Sequence, residues 1–299
     1  MMEITIHNRF LSATVASMGA ELQSLRHADG TEYLWQGDPA YWPDRSPVLF
    51  PYVARLTNDS YRFREKTYHM GIHGFAAKME FTPVEQERDS VTLELRSCPE
   101  TLRQYPFAFR FRVRYALEED TLRITYQVEN PGEGEMYFGI GGHPGFRVPL
   151  TQEERFEDYR LEFACRCDPD RVGFTDALFL SGHDTPYPLE DRKVLPLRHE
   201  LFDDDAVILK NMCHDVTLRS RISGRGVRVQ FPDQPYLGLW HWPKTDAPYL
   251  CIEPWSSLPS RQGVVEELSC KSDLIRLEPS GIYETSWTVT VLGKETENA

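Results

Sequence analysis

The feature that most constrains this chain is a period-two alternation across residues 107 to 128. Phe107, Phe109, Phe111, Val113 and Tyr115 alternate with Ala108, Arg110, Arg112 and Arg114. Successive side chains of a strand point to opposite faces, so such a run buries one face and wets the other. Leu122, Ile124, Tyr126 and Val128 repeat the pattern, and the polar link Glu118-Glu119-Asp120 joins the two runs as an antiparallel hairpin. The same spacing recurs at Val91-Leu93-Leu95, at Val227-Val229-Phe231 and at Tyr283-Thr285-Trp287-Val289-Val291. Further strands are expected at 3–7, 10–16, 21–26, 159–166 and 214–219. Helical periodicity is nearly absent, with short helices expected only around 100–104 and 151–154. Turn residues are frequent, as in Asn130-Pro131-Gly132, Asp168-Pro169-Asp170 and Ser223-Gly224. Together these features predict an all-β fold, a large antiparallel β-sandwich or barrel. No repeat, linker or shift in composition divides the chain, so residues 1–299 are read as one domain. The polar residues 294 to 299 are expected to fray.

Charge narrows the partners. The formal net charge is −13, which opposes binding to nucleic acid or an anionic membrane. A small neutral substrate remains compatible. The first residues lack a basic segment followed by an apolar core, so no signal peptide is expected. No run of about 18 apolar residues is present to span a bilayer. The cysteines are Cys98, Cys165, Cys167, Cys213, Cys251 and Cys270, with no CxxC pair. That spacing argues against structural zinc, and a cytoplasmic protein with free thiols is the expectation.

Function is best sought where alternation breaks and ionisable groups appear. Tyr137-Phe138-Gly139-Ile140-Gly141-Gly142-His143-Pro144 ends a strand, tightens on glycines and places a histidine before a proline that pushes it toward extended backbone. An imidazole held there is suited to acid–base work, or simply to a satisfied turn. Val48-Leu49-Phe50-Pro51-Tyr52-Val53-Ala54-Arg55 delivers one arginine from an apolar run, for a structural ion pair or for ligand oxygens. Gly71-Ile72-His73-Gly74 presents a second histidine between glycines. Leu237-Gly238-Leu239-Trp240-His241-Trp242-Pro243 offers indoles for the core or for the apolar face of a sugar. Glu253, at the end of the apolar run Tyr249-Leu250-Cys251-Ile252, is either a tuned base or a carboxylate that caps an arginine or backbone amides. His73, His143, His241 and Glu253 show no HxH or HExxH spacing for a metal. No GxSxG elbow or phosphate-binding glycine loop is present.

Taken in order, LFPYVARL, GIHGFAAKMEF, FGIGGHPGF and YLCIEPWSS resemble the aldose 1-epimerase (galactose mutarotase) family, most closely its LacX-like branch. YPFAFRFRVRY, LRITYQVEN and LFDDDAVIL extend the resemblance from about residue 10 to about residue 290. It implies a super-sandwich of antiparallel strands and interconversion of α and β anomers of a free sugar, with no cofactor and no metal. It implies His143 as acid at the ring oxygen and Glu253 as base at the anomeric hydroxyl; that chemistry requires the two on opposite sides of the C1–O5 region, each within hydrogen-bond reach. Surplus acidic charge is expected to keep His143 protonated. Arg55 and His73 are implied to bind hydroxyls, as is an aspartate matched to Asp205, with Asp203 and Asp204 adjacent; Trp240 is a candidate stacking residue. The partner implied is a small-molecule sugar, bound by a monomer or homodimer. A related branch acts on hexose 6-phosphates, for which Arg62, Arg64 and Arg103 are the candidate arginines. A sugar-binding module without turnover is the alternative of another class.

Overall fold

The structure, a computed structural model, describes residues 2–293; the expected frayed segment 294 to 299 lies outside them. The strongest alternation forms the centre of the larger sheet. Arg110–Glu118 and Thr121–Glu129 pair as an antiparallel hairpin, closed by Glu119 and Asp120 with Glu119 at a φ of 54°. Thr121–Glu129 also pairs with Ile282–Leu292. Outward from this centre run Ser90–Arg96 and Thr82–Gln86 on one side. On the other run Gly226–Gln230, Asp215–Ser220, Tyr159–Phe163 and Val194–Pro196, completing nine strands. Their inward residues, among them Phe111, Val113, Tyr115, Ile124, Tyr126, Trp287 and Val289, are buried in one apolar cluster.

The second large sheet carries Val48–Leu49, Gly141–Gly142, Tyr249–Trp255, Tyr236–Trp240 and Val207–Lys210, with the short Asp170–Arg171 and Thr185–Pro186 beyond. Gly145–Arg147 also pairs with Tyr249–Trp255. Leu237, Leu239, Leu250 and Ile252 from this sheet join the same cluster as the inward residues of the first. Phe50, just after Val48–Leu49, stacks on Phe111 at 4.5 Å between ring centres. The two sheets therefore pack face to face, as the antiparallel sandwich expectation requires.

The second sheet is also covered on its other face. Tyr249 and Cys251 pack with Trp35 and Trp42, while Leu49, Ile208 and Trp255 pack with Val53 and Leu258. Burial on both sides explains why every residue of Tyr249–Trp255 is buried and why that run lacks clean alternation.

Several expectations need correction. Phe107 and Phe109 precede the strand that begins at Arg110, although both are buried. The strand expected over 159–166 ends at Phe163; beyond it Cys165 is joined by a disulfide to Cys213. The expectation of free thiols is thus wrong for those two cysteines, which the fold brings together from 48 positions apart, and holds for Cys98, Cys167, Cys251 and Cys270. The helix around 100–104 is present as Pro99–Gln104. Residues 151–154 form a turn, with a single 3-10 turn at Phe156–Asp158 instead. No described helix is long and apolar enough to cross a membrane.

Candidate active site

The site lies on the outer face of the second sheet. Tyr249, Cys251, Glu253 and Trp255 share that face, because alternate residues of a strand point the same way. Gly141 pairs with Trp255, and Gly145 with Cys251. The same register carried across Gly142 and Pro144 sets His143 opposite Glu253. Their side chains meet, with Nε2 of His143 3.2 Å from Oε2 of Glu253. On the other side of Glu253 stands Gly238. A Cβ there would lie 3.1 Å from the Cβ and 3.4 Å from the Cδ of Glu253, so the glycine makes room for the carboxylate.

The other groups arrive on loops. Gly74 takes a φ of 75° and passes so close to Phe50 that a Cβ would lie 2.3 Å from its carbonyl oxygen. This approach fixes the turn holding His73, whose Nδ1 accepts the N–H of Ala54 at 3.1 Å. That acceptor role leaves Nε2 to carry the proton of the neutral ring. Arg55 follows Ala54 and is exposed. Among the described residues its guanidinium has no ion pair, which removes the structural-pair reading. Asp205 sits at a φ of 79° with Oδ1 accepting the N–H of Ala206 at 2.7 Å.

Arg55, His73, His143, Asp205, Trp240 and Glu253 all line one cavity of about 560 Å³. Its size is typical of small-molecule sites. Asp203 and Asp204 open instead into a neighbouring cavity that Asp205 also borders. Arg62, Arg64 and Arg103 do not line the candidate site; Arg64 borders a separate cavity of about 130 Å³. His241 is turned away and fully buried, with Nε2 3.1 Å from Nδ1 of His199.

Sequence reasoning missed Trp42, whose ring lies 4.9 Å from that of His143, and gave Trp255 no role. Trp42 belongs to an irregular segment without periodicity; its one signal is that Trp42-Pro43 repeats the Trp242-Pro243 pattern at the same rim. Cys251 also went unassigned, though its sulfur lies near the His143–Glu253 pair.

Electrostatics depart from the sequence expectation. Burial pulls His143 down from 6.5 to about 4, so the chain's surplus acidic charge does not keep the isolated imidazole charged. Burial pushes the Glu253 carboxyl well above its ordinary range; the indole N–H of Trp255 opposes this and the charge of Asp205 adds to it. His73 is held well below its usual value by burial, then by His143 and Arg55. Both shifts favour the neutral forms, so a proton shared by the pair favours the carboxyl over the imidazole. The 3.2 Å contact brings the two groups together within one cavity. That arrangement suits chemistry on two oxygens bound to a single carbon.

Comparisons with known proteins bear on the family and the fold. The family described as aldose 1-epimerase matches residues 2–265. A relative named Protein LacX, from the plasmid of Lactococcus lactis subsp. lactis, is 38% identical over 302 residues, covering 97% of this chain and 100% of its own. A galactose mutarotase related enzyme from Lactobacillus acidophilus superposes with a TM-score of 0.93 at 34% identity, covering 98% of each chain. A galactose mutarotase-like protein from Lactobacillus casei gives 0.92 at 33% identity, covering 97% of this chain and 100% of the other.

Proposed function

This chain belongs to the aldose 1-epimerase family, and from that premise we propose that it interconverts the α and β anomers of a free hexose. The observation that carries the reading is the 3.2 Å contact between His143 and Glu253 inside a cavity that also holds Arg55, His73 and Asp205.

In this reading the carboxylate of Glu253 takes the proton of the C1 hydroxyl as His143 delivers one to the ring oxygen. The C1–ring-oxygen bond breaks and the C1 carbonyl forms. Rotation about C1–C2 presents the other face of the aldehyde, and closure reverses both transfers. Each group ends as it began, so nothing else is consumed. The reading has the pair carry one proton, which passes from Glu253 across the short contact to His143 when the sugar hydroxyl approaches. Such contacts tighten in the working complex. Arg55, the Nε2–H of His73 and Asp205 would hold hydroxyls, and Trp240 the apolar face of the ring.

An uncharged sugar is favoured over a hexose phosphate. Among the described residues Arg55 is the one arginine or lysine lining the cavity, against Asp44, Asp205 and Glu253. A phosphate would call for more cationic lining. Polarimetry or NMR exchange on freshly dissolved α-glucose and α-galactose tests the proposal. Acceleration over buffer is expected for at least one; none with any free hexose would sink it.

A further inference from the structure

We propose that His143 and Glu253 of this pocket, with the buried Cys251 beside them, also form a site for a divalent cation of the zinc class whose occupancy silences the acid–base pair. The site rests on the donor set; its consequence for rate rests on the function proposed above. Cys251 and Glu253 lie two apart on one strand face, and His143 faces them from the adjoining strand segment. One donor atom from each lies within 4.8 Å of the other two. Linear spacing hides such a set because two strands assemble it.

A second observation points to a ligand. Oε2 of Glu253, in a side chain 1% exposed, is buried without a hydrogen-bond partner. Oε2 is near Nε2 of His143, but the approach is not aligned for a hydrogen bond. Buried acceptors are normally satisfied. Thiolate, imidazole and carboxylate together select zinc over magnesium or calcium, which prefer oxygen donors. Three protein ligands leave a fourth position toward the cavity for water. One thiolate and one carboxylate also neutralise the dication, which a dry pocket requires.

On binding, the S–H bond of Cys251 breaks and a sulfur–metal bond forms, and the thiol proton and the proton carried by the His143–Glu253 pair both leave to buffer. Lone pairs of Glu253 and His143 then point at the metal and no longer exchange protons with a sugar.

The test loads the intact protein with Co²⁺, then Zn²⁺. Expected are a thiolate-to-cobalt charge-transfer band saturating at one equivalent and its displacement by zinc. Epimerase rate should fall at least about ten-fold with zinc and recover with EDTA. Cys251→Ser should retain the metal-free rate, lose the cobalt band and need at least about ten-fold more zinc for inhibition, because a hydroxyl stays protonated where a thiol does not. A cobalt spectrum without the thiolate band overturns the site, as does a band or a zinc sensitivity that survives in Cys251→Ser. Should that variant not fold, the wild-type spectrum at one equivalent decides. If the protein shows no epimerase activity at all, the cobalt spectrum still reads the site, so the two proposals fail separately.

Discussion

Replacing Glu253 by glutamine separates what the carboxyl does from what its burial costs. The change keeps volume and removes proton exchange. A positioned acid–base group contributes roughly 10²–10⁴-fold, so the barrier should rise by about 3–5 kcal/mol. Stability moves the other way, and with pH. Burial raises the folded pKa of Glu253 well above 4.5, so the folded chain keeps a proton that the unfolded chain releases. Stability from such a group is complete below the unfolded pKa and is lost as pH rises toward the folded one. The slope is about 1.4 kcal/mol per pH unit. Glutamine suffers no such loss, so the stability of Glu253→Gln relative to wild type should climb from about pH 4.5 until the wild-type carboxyl ionises. His143 works in the opposite sense: lowered to about 4, it stabilises above its unfolded value and that gain is lost as pH falls through about 4. It is present in both proteins and largely cancels in the difference. Urea unfolding of both, in steps from about pH 5 to about pH 8, reads the slope, and polarimetry reads the rate. A stability difference that stays flat with pH would refute the argument from burial. A variant rate within about ten-fold of wild type would refute the assigned role.

Four further outcomes are expected. His143→Asn should lose roughly 10²–10⁴ in rate while circular dichroism stays native; unchanged turnover removes His143 from the chemistry. Trp42→Ala should admit water to His143, so its pKa climbs from about 4 toward 6.5 and the acidic limb of the pH–rate profile moves upward; a limb that stays put argues against burial as the cause. In Gly238→Ala the new Cβ, 3.1 Å from that of Glu253 and 3.3 Å from Cδ1 of Ile208, should displace the carboxylate and cut the rate about ten-fold; a wild-type rate would mean the space is not needed. Thiol titration of the denatured, unreduced protein should count four free thiols, rising to six on reduction; six before reduction would exclude the Cys165–Cys213 bond.

What could be read in advance followed the physics of one-sided burial. Where a strand has one wet face, as in Arg110–Glu118 and Thr121–Glu129, alternation exposes it directly. Glu253 and Arg55 also stood out, because ionisable groups beside apolar runs need a reason. Trp42 stayed hidden because its segment has no period and gains meaning only from the His143 ring beneath it. The charge state of the pair was misjudged for a related cause. Net charge is a property of the whole surface, whereas desolvation is local, and in this pocket desolvation wins. The Cys165–Cys213 bond joins positions whose proximity depends on the pairing of Tyr159–Phe163 with Asp215–Ser220.

The strand Tyr249–Trp255 ties folding and site assembly to one pattern. Leu250 and Ile252 fill the space between the sheets, while Tyr249, Cys251, Glu253 and Trp255 face the pocket side. A slip of one residue in its pairing would exchange these faces. It would drive the carboxylate of Glu253 among Phe50, Phe111 and Trp287, and expose two aliphatic side chains to the cavity. The apolar core therefore rejects the one-residue slips that would turn Glu253 away from His143. Although the two lie 110 positions apart in the chain, the face that burial selects is the one on which they meet at 3.2 Å. A slip of two residues would keep the faces, so the pairing itself, Gly141 with Trp255 and Gly145 with Cys251, is what holds residue 143 opposite residue 253.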